Sequence, residues 1–164
     1  YVERKKCIYK SDLMQFNGNL IIPMQNYKHE IMSYQMITSN GKYFAKDRSS
    51  KNLFYRFTTE HTRNTIILAE GWATANAIHQ CTPYDVIACL SAGNIRNVYN
   101  TLKSQWGNIV IIVIADNDEA GIRACQGLNY ITLGNDGEDF NDIFIRLGLW
   151  DTMDLLLDNI KDMA

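Results

Sequence analysis

The chain has little proline and no long apolar run. Only two of its 164 residues are proline, Pro23 and Pro83. The longest apolar run, from Ile109 to Ala115, is far shorter than the roughly 20 residues that a membrane-spanning helix requires. No basic-then-apolar leader is visible at the start of the sequence either. These absences predict a cytoplasmic protein that does not enter a membrane.

Cysteine and histidine patterns that bind zinc are also missing. No two cysteines form a C-x-x-C pair, and the histidines are not spaced as metal ligands. We therefore expect reduced, mostly buried thiols, and histidines in packing or solvent-facing positions. The residues concerned are Cys7, Cys81, Cys89, Cys125, His29, His61 and His79.

The charge is divided unevenly along an otherwise ordinary globular composition, with 46% hydrophobic and 21% charged residues. Residues 1–64 hold 11 Lys and Arg against 5 Asp and Glu, a balance of +6, whereas residues 65–164 hold 5 against 13, a balance of −8. A basic lobe joined to an acidic one suits a polyanion on one side and divalent cations on the other. Alternatively, the acidic surplus only solubilises a surface, which we expect of Asp151, Asp154, Asp158 and Asp162.

The first third of the sequence alternates apolar and polar residues between turn signals, a pattern typical of antiparallel strands. We predict a small, basic, β-rich N-terminal subdomain over residues 1–64, with lysines and arginines in its loops. The predicted strands cover residues 19–24, 30–37, 42–45 and 53–57.

From Thr65 onward, apolar β-branched segments alternate with helical ones. Strands that are apolar on both faces are typical of a parallel sheet covered by helices. The order predicts a doubly wound, mostly parallel α/β sheet flanked by helices over residues 65–164. Its predicted strands cover residues 65–69, 85–90, 108–115 and 129–133, and its predicted helices cover 72–80, 95–106, 119–127, 140–147 and 150–161.

Acidic residues follow three of these predicted strands. Glu70 comes directly after the first, Asp116 and Asp118 follow the third, and Asp139 lies after the last. Because parallel strands end at the same edge of a sheet, we expect these carboxylates to meet. Crowded carboxylates repel one another, and a divalent cation such as Mg²⁺ removes that repulsion. We also expect Gly121 to let the next helix begin without crowding the site.

Two of these acids also have a simpler interpretation, as helix caps. Asp118 and Asp139 each precede a predicted helix, so either residue taken alone could serve only as an N-cap. Glu70 fits that reading less well, because it follows an apolar strand and precedes Gly71 and Trp72. Taken together, the three acidic positions favour a metal site.

The acidic motifs resemble the Toprim domain shared by bacterial-type primases, topoisomerases and related nucleases. The motifs read Ile67-Leu-Ala-Glu70-Gly71, Ala115-Asp-Asn-Asp118-Glu-Ala-Gly121 and Gly137-Glu-Asp-Phe-Asn-Asp142. The sequence is most similar to the Toprim region of plasmid- and phage-borne primases and primase–helicases. That similarity adds the segments Glu70-Gly-Trp-Ala-Thr-Ala75, Leu90-Ser-Ala-Gly-Asn94, Leu20-Ile-Ile-Pro-Met24 and Lys42-Tyr-Phe44.

The resemblance implies a site and a reaction. Glu70 would be the general acid/base, Asp116 and Asp118 would hold Mg²⁺ or Mn²⁺, and Asp139 with Asp142 would complete a second ion site. The reaction would be primer synthesis from nucleoside triphosphates on a single-stranded DNA template. A replicative helicase domain, in the same or another chain, would be a partner. Candidate contacts to the template or the nucleotide are Lys42, Lys46, Arg48, Lys51 and Arg56.

Two positions depart from the pattern of bacterial replicative primases. Thr74 stands four residues after Glu70, where an acid is common, and Asn141 stands where the third motif often has a second alternating acid. A zinc module and a P-loop are absent, and the sequence begins at Tyr1 rather than Met. We therefore expect a catalytic piece of a longer polypeptide.

Four other functions remain open at this point. A Toprim nuclease would share the metal site, and a degenerate module that binds nucleic acid without catalysis would explain Thr74 and Asn141. A topoisomerase component would need a nucleophilic tyrosine, of which the sequence has no signature. A haloacid-dehalogenase-type phosphatase also uses Asp-x-Asp after a strand, but it favours Thr or Val where this chain has Ala120.

Overall fold

The computed structural model describes residues 1–60 and 64–163. Two layers of structure follow one another along the chain, an antiparallel sheet and then an α/β sheet with helices on both faces. His61 lies outside the described residues. None of the described helices combines the length and the apolar character needed to cross a membrane.

The first sheet is an antiparallel meander in the order β1-β2-β3-β4. Every second residue of its second strand, from Leu20 to Met24, is buried, as expected for a strand with one covered face. The four strands are β1 (Met14–Phe16), β2 (Asn19–Gln25), β3 (Ile31–Thr38) and β4 (Gly41–Phe44).

Strand β1 was not predicted from the sequence. Its three residues are all exposed, so it lacks the alternation that marks the other strands. A signal was nevertheless present, because Asn17 and Gly18 form a two-residue turn with φ of +49° and +76°. Asn-Gly is the residue pair that such hairpin turns prefer, and it joins Phe16 to its partner Asn19.

The second sheet has five strands in the order β5-β7-β6-β8-β9. Strands β6, β7, β8 and β9 are parallel, and β5 runs antiparallel to β7 at one edge. This arrangement confirms the predicted fold class. The elements are β5 (Tyr55–Phe57), β6 (Thr65–Ala69), α1 (Trp72–Gln80), β7 (Asp85–Ala88), α2 (Ala92–Gln105), β8 (Val110–Ala115), α3 (Glu119–Cys125), β9 (Tyr130–Thr132), α4 (Phe140–Leu147) and α5 (Leu149–Ile160).

The apolar strand residues supply two separate cores. Ile67 and Ala69 face one side of the sheet, where α1, α4 and α5 cover them, and this core extends to the inner face of the first sheet. Ile66 and Leu68 face the other side, under α2 and α3. Burial on both faces explains why these strands read as continuous apolar runs.

Strand β5 belongs to the second sheet and not to the antiparallel sheet that precedes it. Tyr55 pairs with Ala88 of β7, and Tyr55 and Phe57 are buried beneath α1. The two sheets remain joined, because Gln25 and Phe54 exchange a pair of backbone hydrogen bonds of 2.8 and 2.9 Å. The division of the chain at residue 64 stays a prediction.

Two sequence-based details can be compared directly with the structure. Helix α2 begins at Ala92, three residues earlier than predicted, and the extended Ser91 is its N-cap residue. All four cysteines are free thiols, with Cys7 partly buried and the other three buried, as expected.

Candidate metal centre

Neighbouring parallel strands bring the acidic residues to one edge of the second sheet. Strands β6 and β8 lie side by side, with Ala69 opposite Ile114. Glu70 and Asp116 follow these strands directly, so both leave the sheet at its carboxyl edge. This is the edge at which doubly wound folds bind their ligands.

Glu70 is held by the start of helix α2. Its carboxylate accepts a hydrogen bond from the backbone N–H of Ala92, and its own carbonyl accepts the N–H of Leu90 at 2.7 Å. Burial raises the pKa of Glu70, the Lys42 ammonium lowers it, and the Asp118 and Asp139 carboxylates raise it. The helix N-terminus and Lys42 therefore supply the positive charge beside this carboxylate.

Asp116 is the most perturbed acid of the cluster. The pKa of its carboxyl is raised from 3.8 to about 7. Burial is the largest cause, followed by the charges of Glu70, Asp139 and Asp118, and the charge of Lys42 opposes the shift. Its Oδ1 atom is buried and has no hydrogen-bond partner among the described residues. A buried carboxylate oxygen without a donor is costly, unless a cation or another ligand fills the gap.

Gly121 allows Asp116 to sit against the start of α3. A Cβ atom at residue 121 would lie 2.4 Å from the Asp116 carbonyl oxygen, a separation that packed atoms do not adopt. Only glycine fits this position without moving the Asp116 peptide. The expectation that Gly121 keeps the helix from crowding the site is confirmed.

Asp118 and Asp139 are helix N-caps as well as members of the cluster. Asp118 Oδ1 accepts the N–H of Gly121 at 2.6 Å, and Asp139 Oδ1 accepts the N–H of Asp142 at 2.8 Å. The charges of both residues nonetheless raise the pKa of Asp116. Capping and proximity to the other acids are thus compatible, and the cap is what fixes each carboxylate at its helix start.

Asp142 has different partners from the other four acids. Its carboxylate accepts the N–H of Asp139 at 3.4 Å, which closes a capping box, and it lies 3.4 Å from the Lys5 ammonium. Neither the pKa of Glu70 nor that of Asp116 responds to its charge. The structure therefore brings together Glu70, Asp116, Asp118 and Asp139, and a metal-binding role for Asp142 stays a prediction.

The two positions that lack the expected acids are buried. Asn141 is fully buried, and its Nδ2 donates to the Lys5 carbonyl at 2.8 Å, which anchors the N-terminal segment on α4. Thr74 is 2% exposed in the first turn of α1. Both side chains are enclosed within the fold, and no sequence pattern predicts the contact between Asn141 and the start of the chain.

The basic residues singled out from the sequence lie in different places. Lys42 is beside the cluster, since its Nζ is 3.9 Å from the position that a Cβ of residue 71 would occupy. Lys46 is exposed. Arg48 and Lys51 line a separate cavity of about 380 Å³ that reaches Thr101 on α2. The binding roles of these four residues stay predictions.

Arg56 is engaged at the opposite edge of the sheet. Its guanidinium donates to Asp85 Oδ2 from Nε at 3.1 Å and from a terminal nitrogen at 2.5 Å, and it lies 5.0 Å from the centre of the Trp106 ring. Asp85 begins β7, so this ion pair is at the amino edge of the sheet. The structure thus gives Arg56 partners within the fold, and its contact to nucleic acid stays a prediction.

The cluster is not a preformed metal cage. Within residues 1–60 and 64–163, no group of three or more His, Cys, Asp or Glu side chains is arranged to hold an ion. Mg²⁺, however, commonly uses one or two carboxylates and completes its octahedron with water and substrate phosphates. The unpartnered oxygen of Asp116, surrounded by like charges, fits a divalent cation of that kind.

The order of the α/β sheet and the acids at its carboxyl edge can be compared with known domain families. A model of the Toprim domain family matches residues 65–149. Because that match covers more than half of the chain, the chain belongs to the Toprim domain family.

Solved structures of primases share the fold at low identity. The primase fragment of the bacteriophage T7 primase–helicase protein is 15% identical, with a TM-score of 0.64 over 94% of this chain and 66% of that one. The RNA polymerase domain of Mycobacterium tuberculosis primase DnaG is 14% identical, with a TM-score of 0.62 over 94% and 60%. A DnaG catalytic domain bound to single-stranded DNA is 13% identical, with a TM-score of 0.58 over 90% and 57%. The chain thus spans about two thirds or less of these three structures.

Proposed function

We propose that this chain is the Toprim catalytic part of a DNA primase, which makes primers on single-stranded DNA by metal-dependent nucleotidyl transfer. The observation that supports it best is the cluster of four carboxylates that includes the unpartnered oxygen of Asp116, at the carboxyl edge of a fold shared with phage and bacterial primases. As the chain spans only part of those structures, the remaining domains would lie elsewhere in the parent protein. A cytoplasmic location and a helicase partner belong to the same proposal.

The chemistry follows from what each side chain can do. Asp116 and Asp118 would hold Mg²⁺ or Mn²⁺, and Asp139 would contribute to a second ion site. When bound, the cation supplies positive charge for the phosphoryl oxygens. Glu70 has a raised pKa and a carboxylate fixed by the Ala92 N–H, so it would take the proton from the attacking 3′-hydroxyl. Lys42, beside Glu70, would bind a nucleotide phosphate.

The nucleic acid would reach this site from the basic side of the molecule. One of the similar primase structures is bound to single-stranded DNA, and residues 1–64 of this chain carry the positive surplus. Lys46, Arg48 and Lys51 precede β5 in the loop that leads from Lys42 toward the second sheet. We propose that this loop follows the template phosphates, which would make binding weaken as salt is raised.

A degenerate module that binds nucleic acid without catalysis is the second candidate. It is favoured by the burial of Asn141 and Thr74 and by the lack of a preformed three-residue metal group in the described part of the chain. A Toprim nuclease would share the same acids. The three functions differ in their products, so one assay separates them.

The test is extension of a short RNA annealed to a single-stranded DNA template, with nucleoside triphosphates and Mg²⁺ or Mn²⁺. An annealed primer removes the need for the initiation functions of other domains. We expect extension by the wild type and none by Asp116→Asn, whereas Asp154→Asn, an exposed acid on α5, should behave as wild type. Strand cleavage would indicate a nuclease, and metal-independent binding without any product would indicate the degenerate module; either result would overturn the primase proposal.

A further inference from the structure

Glu70 lies beside a turn whose backbone is strained. Leu90, two residues beyond the end of β7, has a φ of +69° and is 5% exposed. Residues other than glycine seldom adopt this conformation, and it persists only where the surrounding structure holds it. Contacts from elsewhere in the fold must therefore keep the Leu90 turn in place.

The same turn fixes Glu70. Two of its backbone groups point to that residue, because the Leu90 N–H donates to the Glu70 carbonyl at 2.7 Å and the Ala92 N–H donates to the Glu70 carboxylate. A movement of the turn would carry both donors with it. The position of the carboxylate is thus tied to the conformation of residues 90–92.

The third backbone contact of the turn comes from the other sheet. Gln35, on β3, donates from Nε2 to the Leu90 carbonyl at 3.0 Å. Its side chain is only 2% exposed and lies on the inner face of the antiparallel sheet, whose other residues include Ile22, Met24 and Ile37. An amide buried in such a face is unfavourable unless it is hydrogen-bonded, so this bond accounts for the glutamine.

We propose that Gln35 is a positioning residue for Glu70. By holding the Leu90 carbonyl, it fixes the strained turn, and the turn in turn fixes the carboxylate. Gln35 would then influence the chemistry at Glu70 without itself contacting the reacting groups. The inference rests on the proposed function insofar as Glu70 acts in the reaction.

The first measurement is amide hydrogen exchange in Gln35→Met, which keeps the length of the side chain and removes the donor. We expect the Leu90 and Ala92 amides to exchange about tenfold faster, the equivalent of one lost hydrogen bond. The exchange rate of the Val113 amide, in the central strand, should rise only by the amount that the loss of global stability explains. That loss is measured by urea unfolding. Ser33→Ala is the matched control, since Ser33 is a buried residue of the same strand whose hydroxyl has no partner among the described residues.

The second measurement is steady-state extension of the annealed primer. Gln35→Met should lower kcat roughly tenfold and leave KM for the nucleotide and template affinity unchanged, whereas Ser33→Ala changes neither. If Gln35→Met does not fold, Gln35→Asn, one methylene shorter, takes its place. The proposal would be overturned if the Leu90 and Ala92 amides exchanged at the same rate in the variant as in the wild type. It would also be overturned if these amides exchanged faster while kcat did not fall. If the wild type extends no primer, the proposed function fails, and the exchange data alone decide the inference.

Discussion

The carboxylates at the two edges of the five-stranded sheet differ in whether the fold supplies their partners. At the amino edge, Asp85 is satisfied within the fold, since it accepts two hydrogen bonds from Arg56 and the N–H of Thr59 at 2.8 Å. At the carboxyl edge, Asp116 has a buried oxygen without a partner and a pKa raised by burial and by three neighbouring acids. Asp85 is held by partners within the fold, and Asp116 is the acid that we propose as a metal ligand.

The largest expected difference between the two edges is the effect of a substitution on metal affinity. We expect the wild type to bind Mn²⁺ in a calorimetric titration and Asp116→Asn to lose at least roughly 100-fold in affinity, more than the loss of an outer partner of a metal ligand. The double variant Asp116→Ala with Asp118→Ala should show no binding while its circular dichroism is retained. Asp85→Asn should bind as the wild type does. Equal affinities for Asp116→Asn and Asp85→Asn would remove the distinction between the edges.

Restoring an acid at position 141 should not restore a ligand. Asn141 is fully buried and its amide donates to the Lys5 carbonyl, so Asn141→Asp would lose the donor and bury a charge. We expect a loss of about 3 kcal/mol in the free energy of unfolding, measured with urea at pH 8. Metal affinity should not improve. The control is Asn159→Asp, the same change at an exposed position of α5; a stable Asn141→Asp variant that binds metal more tightly would show that this side chain reaches the cluster.

Removing each acid in the presence of a chelator should change stability in opposite directions. Asp85→Asn leaves Arg56, whose side chain is 23% exposed, without its ion pair, so we expect a loss of about 2 kcal/mol. Asp116→Asn removes one of several mutually repelling charges, so it should stabilise the protein by about 1 kcal/mol at pH 8. Both values come from urea unfolding in EDTA. Destabilisation by both substitutions would mean that Asp116, too, is a structural acid.

A further expected effect of small size is the pH dependence contributed by His79, near the amino edge. Burial is the main cause that lowers the pKa of this imidazole from 6.5 to about 4; Lys10 lowers it further and Asp85 opposes the shift. Between pH 6.5 and pH 4 the unfolded chain therefore binds a proton that the folded chain does not, so stability falls as the pH falls through this window and is unaffected above it.

We expect this loss to be about 1–2 kcal/mol, because the ring is only partly buried. Urea unfolding of the wild type and His79→Gln at pH 4.5 and pH 7.5 measures it. The difference between the two pH values should be smaller in the variant. Parallel losses in both proteins would assign the acid sensitivity to other groups.

Much of the α/β sheet and its acidic edge could be predicted because the information is local. The apolar runs specify strands buried on both faces, and Glu70 and Asp116 directly follow two of them, so pairing of β6 with β8 is enough to bring the acids together. The Asn17–Gly18 turn is an equally local signal, and it marks the hairpin that joins β1 to β2.

Other features depend on contacts between residues far apart in the sequence. Asn141 binds Lys5, Gln35 binds Leu90, and Arg56 binds Asp85, and none of these pairs has a sequence pattern that identifies it. The sheet to which β5 belongs is decided in the same way, by its pairing with β7. Alternation can predict that residues 53–57 form a strand, but it cannot specify the neighbouring strand.

The double use of Asp118 and Asp139 has a consequence for ion selectivity. Each carboxylate has one oxygen engaged by a backbone N–H at a helix start, which leaves one oxygen free. Calcium favours six to eight oxygens and often takes both oxygens of a carboxylate, whereas magnesium needs fewer protein oxygens and retains its waters. At the proposed metal site we therefore expect Mg²⁺ to bind more tightly than Ca²⁺, because the N-caps of α3 and α4 each engage one of the oxygens that bidentate binding of the larger cation would use.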